Sequence, residues 1–160
     1  MLIIIFSMLS VTAYAVGVPE GLIESNDKNL RRLSAVGVQV YECRVGADGA
    51  LSWAFKEPRA ELFHDGQPFG QHYAGPTWEA ADGSRIIGQV AATAPAPQAT
   101  DIPWLRLTVI KRTGAGALAE VEAVQRVDTH GGEKVGSCTA AGTIAGEPYT
   151  ADYILLGTTH

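Results

Sequence analysis

The sequence has little charge, and its positive charge is scattered. Only 18% of its 160 residues are charged, whereas about 25% is usual for a soluble domain. No Lys/Arg cluster is larger than a pair such as Lys111–Arg112, and the formal net charge is −5. The sequence therefore lacks the basic patch expected of a nucleic-acid-binding protein, and its acidic balance disfavours anionic membranes.

Long apolar runs are absent except at the N-terminus. Residues 1–15 read MLIIIFSMLSVTAYA, which is shorter than the roughly 20 apolar residues of a transmembrane helix. The run ends in Ala13-Tyr14-Ala15, an A-x-A-like cleavage site. A buried strand or helix is the alternative, but Pro19 and the polar stretch after it separate the run from the rest. We predict a signal peptide at residues 1–15, a domain at residues 16–160, and a secreted, extracellular protein (periplasmic in a bacterium).

Cysteine is scarce: the chain has only Cys43 and Cys138. In an oxidising compartment two such thiols usually pair, which predicts a disulfide bond. The alternative is two separate buried thiols. A metal pair is disfavoured, because neither cysteine has a second ligand at the spacing of zinc sites.

Motifs of catalysis and cofactor binding are missing. Ser84 lacks the G-x-S-x-G context of serine hydrolases, and the pair Gly131-Gly132 lacks the Lys-Ser/Thr of a phosphate loop. No H-x-H or H-x3-H spacing indicates a metal. We therefore expect no cofactor and no metal, and an enzyme is disfavoured though not eliminated.

Turn residues and period-two alternation are plentiful. The chain has 18 glycines and 8 prolines, and Val36, Val38 and Val40 alternate with other residues as in a strand. Strands are predicted at residues 36–43, 51–55, 60–63, 77–79, 85–92, 104–112, 121–127 and 149–156. Seven or eight short strands predict an all-β, single-domain antiparallel sandwich or barrel.

Two local features are predicted to interrupt the strands. Asn26-Asp27 can cap a short helical turn over residues 30–33, which Gly37 would stop. Pro58 is predicted to end the second strand.

Residues 71–84, QHYAGPTWEAADGS, hold the best candidate site. His72 beside Glu79 or Asp82 would suit a general base or a metal ligand. In the alternative, His72 donates to a loop carbonyl and braces the turn before Gly75-Pro76. Trp78 and Tyr73, with His72, are candidate ligand-binding residues, since aromatic rings stack on sugars and other flat ligands. Trp78 can equally belong to the core.

Arg126 and Asp128 flank Val127 in a predicted strand. Alternation would place both side chains on one face of that strand. We expect a charge pair there to be structural.

Several phrases in this order resemble one family. They are VQVYEC at 38–43, GPTWE at 75–79 after His72, DGS at 82–84, IPWL at 102–105, QRVDT at 125–129 before a Gly-Gly pair, Cys138, and YTADY at 149–153. Together they resemble the DUF3455 family, a domain of unknown function in secreted bacterial and fungal proteins, from about Pro19 to Leu156. The resemblance implies a secreted, disulfide-bonded single domain. It implies no activity, substrate or catalytic residue.

We therefore predict a monomeric, non-catalytic extracellular protein. It would bind a small molecule, a glycan or a surface component, or serve a structural role. The alternative is an enzyme or metal-binding protein centred on His72 with Glu79 or Asp82.

Overall fold

The computed structural model describes residues 17–159, and one antiparallel sheet makes up most of that part of the chain. Its eight strands are β1 (Asp27–Val45), β2 (Leu51–His64), β3 (Gln67–Tyr73), β4 (Thr77–Ala80), β5 (Arg85–Ala94), β6 (Trp104–Thr113), β7 (Ala123–Gly131) and β8 (Ile144–Thr158). Each strand pairs with the next, and β1 pairs with β8. The all-β prediction is confirmed, and of its two forms the barrel is the one that occurs. The signal peptide predicted at residues 1–15 lies outside the described residues.

Alternation along the strands divides inward from outward side chains. In β8, Tyr149, Ala151, Tyr153 and Leu155 point inward and are at most 3% exposed. Period-two alternation places these four residues on one face of the strand, and closure of the sheet turns that face inward. In β1 the inward face holds Gln39, which is 2% exposed, whereas Val36 on the other face is 56% exposed. The barrel interior is therefore partly polar.

The predicted helical turn at residues 30–33 is wrong. That stretch belongs to β1, because it pairs with β8 from Asp27 onwards. Leu33 is buried in the barrel core, and burial on a sheet face outweighs a local capping signal. A 3-10 helix does lie near the N-terminus, but at Glu20–Leu22.

Pro58 does not end the second strand, contrary to the sequence prediction. β2 continues through it to His64, so the stretch predicted as a separate strand at residues 60–63 is part of β2. The register with β1 shifts just before Pro58, between Val40 and Tyr41. Pairing with β3 begins only at Ala60. Proline is tolerated where a strand bulges and lacks a partner on one side, because its missing N–H is not needed there.

The segment before β1 packs against the outside of the barrel. Leu22 is fully buried against Trp104 and Val127. The carbonyl oxygen of Leu22 accepts hydrogen bonds from Arg106 Nη1 and from Gln125 Nε2. Arg106 also binds both carboxylate oxygens of Asp27 at 2.8 Å. A bidentate pair of this kind fixes the entry of the chain into β1.

The loop at residues 114–122 closes one end of the barrel. Leu118 and Val121 of this loop are buried in the main core. Ser84 Oγ accepts a hydrogen bond from the Leu118 amide, and Asp82 accepts one from the Ala117 amide. The barrel interior is thus filled at this end, and its remaining space lies towards the other end.

Candidate functional site

The stacked rings of His72 and Trp78 form one wall of the barrel interior. The two residues face each other across the β3–β4 pair, with ring centroids 4.4 Å apart and planes 20° from parallel. Tyr153 of β8 meets the indole edge-on, at 5.5 Å between centroids. Gly88 makes room for the indole, since a Cβ there would lie 3.1 Å from Trp78 Cζ3. The fold therefore places His72, the best candidate histidine of the sequence, among aromatic side chains.

His72 is held in one neutral form. Its Nδ1 lies 2.8 Å from the carbonyl oxygen of Thr77. A carbonyl only accepts, so Nδ1 carries the proton and Nε2 keeps a lone pair. The pKa of His72 is lowered from an ordinary value of 6.5 to about 3; burial is the main cause, the bond to Thr77 opposes it, and the nearby Arg126 charge adds to it. This geometry matches the hypothesis that His72 braces the turn before Gly75-Pro76.

The structure does not bring His72 together with Glu79 or Asp82. Glu79 lies on the outer face of the β3–β4 pair, where its carboxylate accepts a hydrogen bond from Tyr73 Oη at 2.5 Å. Asp82 lies in the following turn, bound to Ser84 and to the Ala117 amide. The bond from the Ser84 hydroxyl is the main cause that lowers the pKa of Asp82. Both carboxylates have partners of their own, away from the imidazole.

Of the predicted ligand-binding residues, two share a cavity and one does not. His72 and Trp78 line a cavity of about 260 Å³ inside the barrel. Tyr73 points to the outer surface beside Thr77 and Arg85. Trp78 is only 1% exposed, so it presents no stacking platform at the surface. Among residues 17–159, no three His, Cys, Asp or Glu side chains lie close enough together to hold a metal ion.

The cavity combines apolar walls with buried polar groups. Leu105, Leu107 and Pro76 supply apolar wall, and Phe55 and Val90 stand at its mouth, each 51% exposed. Besides His72, the polar lining comes from Gln39, Arg126, Tyr153 and Lys56. No acidic side chain of the described chain lines this cavity.

Two buried N–H groups of the cavity walls lack partners. Gln39 Nε2 and Trp78 Nε1 find no hydrogen-bond acceptor among the described residues. The Gln39 amide lies close enough to Tyr149 to lower that hydroxyl's pKa, an effect outweighed by burial, which raises it. It nevertheless reaches no hydrogen-bond geometry, and Tyr149 Oη is instead 3.2 Å from Tyr153 Oη. A buried donor without an acceptor costs about 1–3 kcal/mol, so unmatched donors beside a cavity indicate a place for a ligand.

Gln39 and Arg126 were not identified as site residues from the sequence. Gln39 lies between Val38 and Val40, and a polar residue inside an apolar strand was the available signal. Arg126 was predicted to share a face with Asp128. That prediction is wrong: Asp128 adopts a φ of 48°, the register shifts there, and its carboxylate binds Arg32 outside the barrel.

The family model described as "Protein of unknown function (DUF3455)" matches residues 24–157. The chain belongs to the DUF3455 family. The match covers all of β1 to β7 and nearly all of β8, and so includes every residue of the cavity. No curated protein and no solved structure matches the chain.

Two further findings bear on the environment of this family member. Cys43 and Cys138 form a disulfide bond, with Cα atoms 5.9 Å apart. The predicted pairing is therefore confirmed. Between residues 17 and 159, no helix has the length and apolar character needed to cross a bilayer.

Proposed function

We propose that this chain is an exported, non-catalytic protein that binds a small ligand inside its barrel. The observation that supports this best is the cavity between Trp78 and Gln39, where two buried N–H donors lack acceptors. A ligand with acceptor atoms would satisfy them. Pockets for small molecules typically combine apolar walls with a few placed polar groups, as this cavity does.

The size and enclosure of the cavity favour a small molecule over a long glycan. A volume of about 260 Å³ is slightly below the usual range of about 300–1,000 Å³ for ligand pockets. Trp78 is buried inside the barrel, whereas binding of a polysaccharide chain needs rings that the solvent reaches. A single sugar unit or a compact aromatic compound fits the proposal.

Catalysis by His72 has weaker support. A base that works near neutral pH should have a pKa near neutral, whereas the pKa of His72 is about 3. Its proposed partners Glu79 and Asp82 also lie elsewhere. In the proposed function, His72 is therefore a neutral part of the cavity wall.

Export rests on the N-terminal sequence and on the disulfide bond. The apolar residues 1–15 with their A-x-A ending suit a signal peptide. Disulfide bonds persist in oxidising compartments, which fits an extracellular or periplasmic location.

The binding proposal is tested with a fragment screen on the ¹⁵N-labelled protein. The screen contains neutral and charged aromatic compounds and single sugars, and it is read at the indole N–H signal of Trp78. We expect a subset of compounds to shift this signal. Val90→Trp, which narrows the mouth of the cavity, should weaken their binding at least tenfold.

Ile110→Trp is the matched control. Ile110 is also an exposed apolar strand residue, 60% accessible, but it does not line the cavity. It should bind the same compounds as the parent protein. If no compound shifts the Trp78 signal, or if Val90→Trp binds as well as Ile110→Trp, the cavity is not a ligand site.

A further inference from the structure

Arg126 brings an unpaired positive charge to the cavity. It projects from β7 into the barrel, opposite Leu105 of β6 and Tyr153 of β8. Its Nε and Nη2 donate to the carbonyl oxygen of Pro103 at 3.0 and 2.7 Å. None of the ion pairs formed by the described residues includes Arg126. The guanidinium is thus oriented by a neutral carbonyl group, and it forms no ion pair with a carboxylate of the described residues.

The charge of Arg126 acts on the walls of the cavity. It lowers the pKa of His72 and opposes the rise that burial causes in the pKa of Tyr153. His72 itself is neutral. Lys56, the second cation of the lining, lies 3.8 Å from Glu42 on the outside. Of the two cations that line the cavity, Arg126 is therefore the one without an ion-pair partner among the described residues.

The uncharged polar groups of the cavity also favour a negatively charged ligand that accepts hydrogen bonds. Gln39 Nε2 and Trp78 Nε1 are donors, and both are without acceptors in the described chain. A carboxylate offers two oxygens that only accept hydrogen bonds, and it pairs well with a guanidinium. One positive charge matches a monoanion, whereas a phosphate dianion would leave negative charge in a largely apolar space.

The rest of the lining suits a compact apolar body. Leu105 and Leu107 face the cavity beside Trp78, and Phe55 stands at its mouth. Flat rings stack favourably on an aromatic face. We propose that the cavity binds a compact organic monocarboxylate, with its carboxylate at Arg126 and its apolar, preferably planar, body against Trp78 and the leucines. This inference rests on the proposed function and adds the chemical class of the ligand.

The test compares benzoate with its neutral isostere benzamide. Affinities are measured by calorimetry, with the Trp78 indole N–H signal as the reporter of position. We expect benzoate to bind at least tenfold more tightly than benzamide. Arg126→Gln should remove this preference while leaving the affinity for benzamide within about threefold.

Two further variants separate a specific site from general attraction. Arg126→Lys keeps the charge without the fork geometry and should retain part of the preference. Arg59→Gln removes an exposed arginine that lies outside the cavity, and it should leave the preference unchanged. If Arg59→Gln reduces the preference as much as Arg126→Gln does, the assignment to Arg126 is wrong.

The remaining outcomes distinguish this inference from the proposed function. If benzoate and benzamide bind equally, and Val90→Trp loses both, the cavity is a ligand site. The inference that its ligand is an anion would then be wrong. If inorganic phosphate binds more tightly than benzoate, the inference that the ligand is a carboxylate is wrong. Absence of binding by all three probes would also overturn it, and the fragment screen would then decide separately whether the cavity binds anything.

Discussion

His72 shows how one residue's chemistry is set by where its side chain lies. In the sequence it stands seven residues from Glu79 and ten from Asp82, which suggested a catalytic pair. In the barrel it stacks on Trp78 and donates to the Thr77 carbonyl, while Glu79 faces outward. Removal from water penalises the charged imidazolium far more than the single hydrogen bond stabilises it. His72 is therefore a neutral, oriented ring at ordinary pH.

The low pKa of His72 predicts a dependence of stability on pH. The unfolded state binds a proton near pH 6.5, whereas the folded state does so only near pH 3. The stability that neutral His72 contributes to the folded state is fully present above pH 6.5. It is lost as pH falls towards 3, because the unfolded state binds more protons than the folded state between these pH values. Between pH 6 and 4, His72 should contribute a slope of roughly 1.4 kcal/mol per pH unit to the free energy of unfolding.

Urea denaturation at several pH values measures this slope. His72→Gln should flatten it by about that amount relative to the parent protein, whereas His130→Gln, at an exposed position, should not. In the parent protein the ring signals of His72 should stay constant from pH 5 to 8 by NMR. A titration of those signals near pH 6.5 would contradict the prediction without any variant.

At the scale of elements, the turn between β4 and β5 fastens the loop that closes the barrel. Ser84 is 1% exposed, and its hydroxyl both donates to Asp82 and accepts from the Leu118 amide. Leu118 fills the end of the core. The Asp82-Gly83-Ser84 sequence was considered as a nucleophile motif. In the fold, the Ser84 hydroxyl instead holds the turn and the loop together.

Ser84→Ala should therefore destabilise the protein. It leaves the buried Leu118 amide without an acceptor, which costs about 1–3 kcal/mol. The measurement is the free energy of unfolding in urea, together with hydrogen exchange at the Leu118 amide, which should become faster. Ser34→Ala, at an exposed position of β1, should change stability by less than about 0.5 kcal/mol. Equal effects of the two substitutions would argue against a fastening role.

At the scale of the whole molecule, the disulfide bond ties the β1 strand to the long β7–β8 connection. Cys43 and Cys138 are separated by 95 residues, and no free cysteine exists in the described chain. A crosslink that closes a loop of this length reduces the conformational entropy of the unfolded chain. Its effect should therefore appear in stability and leave the sheet topology unchanged.

We expect the double variant Cys43→Ala/Cys138→Ala to lose about 4 kcal/mol of unfolding free energy. Chemical denaturation gives the loss, and the reduced parent protein serves as the control because it should be destabilised similarly. Thiol titration of the unfolded, unreduced protein should find no free thiol. A variant as stable as the oxidised parent would show that the crosslink does not stabilise this fold.

The proposed export concerns the whole chain and has its own test. The mature protein recovered from the exporting cell should begin at Val16 by intact mass, because the A-x-A sequence precedes it. Ala15→Leu should block cleavage, whereas Tyr14→Leu should not, since the central position of the site needs no small residue. Recovery of exported parent protein that retains Met1 would contradict the signal peptide.

Much of the fold was predictable because strands have a local signature. Period-two alternation located β6 and parts of β1 and β8, but β1 and β8 begin nine and five residues before the predicted strands. The four inward residues of β8 alternate with Thr150, Asp152 and Ile154, so period two groups them on one face of the strand. The helical turn and the effect of Pro58 were wrong, since both depend on what a neighbouring strand allows.

The candidate site was predictable only in part. His72 and Trp78 were identified because their residue types are uncommon and lie between turn signals. Gln39 and Arg126 were missed, since they come from β1 and β7 and approach the β3–β4 pair only through closure of the sheet. Sequence distance conceals such proximity.

The sequence by itself determined the all-β class, the family resemblance and the cysteine pair, because composition, order of motifs and alternation are properties of the chain. Tertiary structure alone decided which side of each strand faces inward. Strand period is fixed by backbone geometry, but the inward face depends on which residues of distant strands meet across the ring. Closure of β1 on β8 thus turns Gln39 and the half-buried Arg126 inward and exposes Val36, and it creates the cavity on which the proposed function depends.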